Sequence, residues 1–243
     1  MTVEVTWHEH VLVLSIARPE RRNAVDHATL VALASGLEDA LAGAARAVVL
    51  TGQGGSFCAG ADLAGVEDEG FSHALSAVLH GLTTARAVTI AAVDGPALGA
   101  GMQLARACDV RVASSRSRFG IPAARLGLAV DGWTVRRAAA LLGGATARAM
   151  LLAAETIDTE RAYGIGFVQR MGDLDTALGW ADEIAALAPL TIDAHKTAFE
   201  RLAWQPPDDP EVASTFAAAW ASADAREGRT AFLEKRAPRF RGR

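Results

Sequence analysis

The sequence predicts an α/β protein whose first half builds parallel strands joined by helical crossovers and whose second half is helical. Three observations carry this. Short, predominantly apolar runs such as Ala47–Leu50 and Val88–Val93 alternate with longer helical stretches, the pattern of strands linked by crossover helices. Glycine, proline or aspartate cuts each run off. From Trp133 onward the chain reads almost wholly as helix. At 243 residues it is long enough for one large domain with a substantial core.

Taken in order, Val11–Ala17 is a short β-type run ended by "RPERRNA", where Pro19 favours a turn. Asp26 reads as the N-cap of an Ala/Leu-rich helix reaching about Ala44. Ala47–Thr51 is a buried strand stopped by "GQGG". Phe71–Ala85 is a helix, and Val88–Val93 a strand ended by Asp94-Gly95-Pro96. Gly99–Ala107 is a helix and Asp109–Ala113 a strand. Helices are then expected at Trp133–Leu142, Ala145–Ala153, Thr159–Tyr163, Leu174–Ala188, Thr191–Trp204 and Glu211–Ala225, with a β piece at Phe167–Gln169. "QPPDDP" (Gln205–Pro210) separates the last two helices.

Composition narrows the function classes. About half the residues are apolar, and 24 Lys+Arg against 28 Asp+Glu give a net charge of −4. No basic block points to nucleic acid. The apolar runs are far too short to span a bilayer. Glu4, His8 and Glu9 interrupt any N-terminal signal-peptide pattern. Cys58 and Cys108 stand far apart without metal-ligand spacing, so a reduced, cytoplasmic protein without a metal is expected.

Two segments have the build of a binding site. "TGQGGSFCAGADL" (Thr51–Leu63) leaves a strand through a glycine-rich loop, where bare backbone N–H groups can face a ligand. An ordinary surface turn would read the same way. "GPALGAGMQLARACDV" (Gly95–Val110) leads a strand through glycines into a helix, whose first turn carries unpaired N–H groups and a partial positive charge. A carbonyl oxygen gaining negative charge could be held there, although glycine-mediated helix packing fits the residues equally.

Five ordered motifs decide between these readings: "RPERRNAV" (Arg18–Val25), "AVVLTGQGGSFCAGADL" (Ala47–Leu63), "GPALGAGMQLARACDVRVAS" (Gly95–Ser114), "FGIPAARLGL" (Phe119–Leu128) and "AFLEKRAPRF" (Ala231–Phe240). In this order they resemble the enoyl-CoA hydratase/isomerase family, the crotonase superfamily. The resemblance implies a ββα spiral core, residues 1–190, and a C-terminal helical region, residues 191–243, that assembles homotrimers which can pair as hexamers. It implies an acyl-CoA or enoyl-CoA ligand and no further cofactor. The backbone N–H groups of Ala61 and Ala100 would grip the thioester oxygen. Arg22, Ala24, Ala59, Ala61, Asp62, Leu63, Ala64, Ala100, Trp133 and Lys235 would contact the CoA or acyl part. The family often sets a basic residue where Ala64 stands. Arg236, Arg239, Arg241 and Arg243 extend the basic tail after Lys235.

The departures from the family pattern matter most. Its hydratases use two glutamates; those positions here hold Gln103 and Ala123. An amide has no protonation equilibrium near neutral pH, and an alanine offers no proton at all. Asp131 stands where dienoyl-CoA isomerases of the superfamily keep a catalytic aspartate, and it also reads as the N-cap of the helix that opens at Gly132–Trp133. The pattern resembles a mycobacterial-type branch that binds fatty acyl-CoA without the hydratase residues. Three functions are therefore carried: an acyl-CoA-binding protein of lipid metabolism with weak or no hydratase activity, an isomerase using Asp131, or a protein that binds partner enzymes under acyl-CoA control. His73 and His80 read as surface or core histidines, and Cys58 as a small buried filler.

Overall fold

A computed structural model describes residues 2–42, 45–63, 69–203, 217 and 220–239. The strands are β1 (Val3–His8), β2 (Val11–Ile16), β3 (Ala47–Gly52), β4 (Val88–Val93), β5 (Pro96–Leu98), β6 (Val110–Ala113), β7 (Arg118–Gly120), β8 (Thr156–Asp158) and β9 (Arg170–Met171). The helices are α1 (His27–Ala42), α2 (Glu69–Thr84), α3 (Ala100–Ala107), α4 (Gly132–Leu142), α5 (Gly144–Leu152), α6 (Thr159–Gly164), α7 (Leu174–Ala185), α8 (Pro189–Ala203) and α9 (Ala223–Leu233). The main sheet runs β1-β2-β3-β4-β6-β9, and a smaller one runs β5-β7-β8.

Among the described residues of the main sheet, only β1 pairs antiparallel, as a hairpin with β2 in the register Val3↔Ile16 to His8↔Val11. Across that sheet, β2-β3-β4-β6-β9, the neighbours are parallel, as the strand–helix alternation predicts. Strands in such sheets are covered on both faces and so carry unbroken apolar runs. Val11, Val13, Val49, Ile90, Ala92 and Val112 meet Ala177, Ala181, Ile184 and Ala185 of α7 on one face. The small side chains of α7 let that helix lie close on the β-branched ridges. On α1, a Cβ at Gly36 would sit 2.6 Å from the Leu14 side chain, so the glycine makes room for a core leucine.

Two buried cations hold the helical layer. Arg111 on β6 is almost fully buried. Its guanidinium donates to the carbonyls of Ala105 (3.3 Å), Cys108 (2.9 Å), Asp109 (3.1 Å) and Phe167, and lies 4.6 Å from the Phe167 ring. It thus covers the carbonyl end of α3 and pins the chain that enters β9. On α8, the buried Lys196 ammonium donates to the carbonyls of Leu82 (3.1 Å) and Ala87 (3.0 Å) and to the Asp109 carboxylate (2.7 Å). Asp109 also accepts from the backbone and hydroxyl of Thr89.

The chain divides into two compact units, residues 1–119 with 157–204 and residues 120–156 with 205–243. In the second, a short 3-10 turn, Pro122–Leu126, meets α9 backbone to backbone. A Cβ at Gly127 would overlap the Asp224 carbonyl, and one at Gly228 would overlap that of Leu126. Trp220 Nε1 donates to Ala129 O at 2.9 Å. Beyond α9, Arg236 forks onto the Glu227 carboxylate at 2.6 and 2.9 Å, and the Arg239 N–H donates to the same carboxylate at 2.8 Å.

Several expected elements move. The β piece lies at Arg170–Met171 rather than Phe167–Gln169, because Arg111 takes the Phe167 carbonyl and Gln169 enters through a backbone bond to Arg111 O (3.0 Å). The last helix is Ala223–Leu233, capped by the Ser222 hydroxyl on Ala225 N; most of residues 211–219, where a helix was expected, lie outside the described residues. Helix α7 ends at Ala185 instead of Ala188. Strands β1, β5, β7 and β8 were not anticipated.

Two outcomes follow from these ion pairs. Replacing Lys196 by Met strips the half-buried Asp109 carboxylate of its cation and leaves two carbonyls without their buried donor, and should cost about 3 kcal/mol in urea unfolding. The arginine fork and the Arg239 N–H hold the Glu227 carboxyl down to about 2. With the folded value depressed, this pairing contributes fully above the ordinary glutamate range and fades as pH falls toward 2. The Arg239 amide resonance should titrate with a midpoint near 2; a midpoint at the ordinary glutamate value would show that the tail is not docked.

Candidate functional site

The site is built around the chain that leaves β3. Residues 58–62 run between two other backbone segments. On one side, Cys58 N donates to Pro96 O (2.9 Å) and Leu98 N to Cys58 O (3.0 Å). On the other, Ala59 N donates to Arg22 O (3.0 Å), Val25 N to Gly60 O (2.9 Å) and Asp62 N to Val25 O (2.8 Å). These parallel bridges place Cys58 beside Ala97 and Ala61 beside Val25.

Glycines set how closely the segments approach. A Cβ on Gly101 would overlap the carbonyl oxygen of Cys58 and stand 2.8 Å from its Cβ. A Cβ on Gly99 would already touch Gly60 Cα at 3.7 Å. Gly60 and Gly99 both have positive φ, 125° and 53°. Each therefore turns the chain in a way few other residues tolerate, and each immediately precedes one of the two expected donors.

The donor directions follow. The Gly60–Ala61 peptide is planar and trans, so its N–H points opposite to its carbonyl. That carbonyl faces Val25, and the Ala61 N–H faces away from the 22–25 segment. Ala100 is the first residue of α3. The first turn of a helix has no intrahelical acceptor for its N–H groups and carries the positive end of the helix dipole. Gln103 lies three residues further on, on the same face as Ala100, with its side chain buried and its N–H bonded to Gly99 O at 3.0 Å.

Two residues hold this arrangement that were not singled out in the sequence. Asn23 is fully buried with φ 56°. Its amide donates to the carbonyls of Gln53 (2.8 Å) and Ser56, and its Oδ1 accepts from Arg18 N at 2.9 Å. Arg18 bonds Ala24 O (2.5 Å), Asp62 Oδ2 (3.2 Å) and Asp26 Oδ2 (3.1 Å). The available signal was an asparagine, one of the few residues that tolerate the left-handed region, after a proline turn. Asp26 caps α1 as expected, accepting from Thr29 N and Oγ1. Burial pushes its carboxyl up, but the Thr29 bonds and Arg18 outweigh this and hold it below the usual range.

The first unit thus brings together Arg22, Ala24, Ala59, Ala61, Asp62, Ala100 and Gln103, with Leu63 next in the chain. Ala64, Arg241 and Arg243 lie outside the described residues. Cys58 is fully buried, its thiol pushed up to about 12 by burial, which leaves no thiolate for nucleophilic chemistry. His73 and His80 are exposed on α2. Among the described residues there is no cluster of three metal-ligating side chains and no helix long and apolar enough to cross a membrane.

Ala123, Asp131, Trp133 and Lys235 belong to the second unit. Ala123 sits half-buried in the 3-10 turn. Asp131 caps α4, its carboxylate accepting from Thr134 N at 2.6 Å. The Trp133 ring carries the Arg137 guanidinium at 5.5 Å. Lys235 is exposed just past α9, whereas Arg236 is engaged by Glu227 and Glu234.

A mostly parallel sheet feeding two glycine-crossed backbone segments, one ending in a helix N-terminus, defines a crotonase-fold protein. The comparisons agree. Residues 6–243 match the enoyl-CoA hydratase/isomerase family, and the chain belongs to it. It is 40% identical to a probable enoyl-CoA hydratase, echA6, of Mycobacterium tuberculosis, over 99% of both chains. It is 34% identical to a 2,3-dehydroadipyl-CoA hydratase of Escherichia coli over 98% of both. The carnitinyl-CoA hydratase of Mycobacterium avium superposes with a TM-score of 0.84 at 31% identity, covering 100% of this chain and 99% of the other. A methylmalonyl-CoA decarboxylase at TM-score 0.92 and 23% identity, covering 100% and 99%, shares the fold.

The glycine contacts give a direct test. Gly101→Ala forces backbone against backbone and should cost about 2 kcal/mol in urea unfolding; a neutral effect would mean that the two segments are not packed as described.

Proposed function

We propose that this protein binds an acyl-CoA thioester, with the N–H groups of Ala61 and Ala100 on its carbonyl oxygen, and has weak or no hydratase activity. The observation that supports this best is the side-by-side course of Gly60–Ala61 and Gly99–Ala100, with a buried amide, Gln103, where the family's hydratases keep a glutamate. Fixed donors of this kind stabilise developing negative charge on oxygen without reorganising. Water addition also needs groups that take and give protons. Each is worth typically 10²–10⁴-fold, and Gln103 and Ala123 supply neither.

Arg22, Ala24, Ala59, Asp62, Leu63, Ala64, Trp133 and Lys235 complete the expected contacts to the CoA and acyl portions. The reading assigns the protein to fatty-acid or lipid metabolism, with the cytoplasm as its expected location and homotrimers or hexamers as its expected assembly. Asp131 already serves α4 as a cap, so carriage of the thioester is favoured over isomerisation.

Crotonyl-CoA and longer enoyl-CoAs should lose their conjugated absorbance at least ~10²-fold more slowly than with a hydratase holding both glutamates. A saturated acyl-CoA should raise the melting temperature, because a ligand of the native state stabilises it. Hydration within tenfold of an ordinary hydratase would overturn the proposal. So would Asp131-dependent isomerisation of a dienoyl-CoA.

A further inference from the structure

We propose that Arg18 is a positioning residue for the thioester carbonyl, acting through two hydrogen-bonded peptide units that end at the Ala61 N–H. The inference rests on the reading of that N–H as a thioester donor. The Arg18 guanidinium Nη1 donates to Ala24 O at 2.5 Å. Ala24 O and Val25 N–H belong to one planar trans peptide and point in opposite directions. Val25 N–H donates to Gly60 O at 2.9 Å. Gly60 O and Ala61 N–H again share one planar peptide. The path therefore runs from guanidinium to peptide 24–25, to peptide 60–61, and out through the Ala61 N–H.

Two physical effects travel along this path. The first is geometric. With peptide 24–25 held at both ends, the plane of peptide 60–61 is fixed, and with it the aim of the last N–H. The second is electrical. A row of hydrogen bonds polarises each member in the same sense, by roughly 10–30% per bond. A cation at its head drives electron density toward itself and leaves the terminal N–H a stronger donor.

The head group is itself held. Arg18 Nη2 lies 3.1 Å from Asp26 Oδ2 and 3.2 Å from Asp62 Oδ2, and the side chain is 14% exposed. Its own N–H is bonded to Asn23 Oδ1 at 2.9 Å. The planar fork lets Nη1 face the carbonyl while Nη2 faces both carboxylates, a division of labour a lysine ammonium cannot reproduce. The two carboxylates anchor the cation and also moderate its charge.

The test compares hexanoyl-CoA with S-hexyl-CoA, a thioether of similar length that lacks the carbonyl, by calorimetric titration of the full-length protein. The wild type should prefer the thioester. Arg18→Gln should reduce that preference by about fivefold while leaving S-hexyl-CoA affinity within about twofold, the scale expected for weakening a charge-assisted bond. The infrared band of bound hexanoyl-CoA labelled with 13C at the carbonyl should move back toward its solution frequency. If Arg18→Gln keeps the preference and the band position, or loses both ligands equally, the relay is overturned. If the wild type shows no preference, the thioester reading of Ala61 falls and the relay with it. Should Arg18→Gln not fold, Asp26→Asn removes one counter-charge while keeping the Thr29 cap. It should raise the thioester preference; an unchanged or lower preference overturns the proposal.

Discussion

The site depends on how near two stretches of backbone can come to each other. Gly101 lies directly on the Cys58 carbonyl, and Gly99 stands so near Gly60 that a Cβ on it would be in van der Waals contact with the Gly60 Cα. This proximity is a property of the main chain. It is made possible by the positive φ angles at Gly60 and Gly99 and fixed by the bonds from Cys58 to Pro96 and from Leu98 to Cys58. The parallel sheet delivers both segments to the same end, because β3 and β4 are neighbours running in one direction. Fold and site are thus one construction. The strand order brings the loops together, and the glycines let them touch.

Charge inside this protein serves as fastening. Arg111 gathers carbonyl oxygens from the end of α3 and the approach to β9, Lys196 ties α8 to carbonyls at the end of α2 and just beyond it, and Arg18 ties the turn before α1 to the glycine-rich loop after β3. In each case a cation meets backbone oxygens that lack a regular ladder partner, which is how buried polar groups are satisfied where secondary structure ends. The lysine and Arg18 also meet carboxylates, and this offsets the cost of taking a full charge out of water.

Much of this was legible in the sequence because the signals were local. The predominantly apolar runs of β3 and β4, the punctuation at Gly52 and Asp94-Gly95, the caps at Asp26 and Asp131, and the glycine pair before Gln103 each act within a few residues. What stayed hidden depends on distant partners. Strand β1 alternates polar and apolar residues on an exposed edge, and β5, β7 and β8 are three residues long, too short for any periodicity. The start of β9 is decided by Arg111, nearly 60 residues earlier in the chain. Arg18 and Asn23 look like ordinary turn residues until their partners at Ser56 and Asp62 are seen.

Donors that belong to the main chain carry no side chain to be lost. At positions 61 and 100 any residue except proline would still present an N–H. Proton-transferring groups have no such protection, since one replacement at a position such as 103 or 123 abolishes them. The two parts of a site built in this way can therefore drift at different speeds.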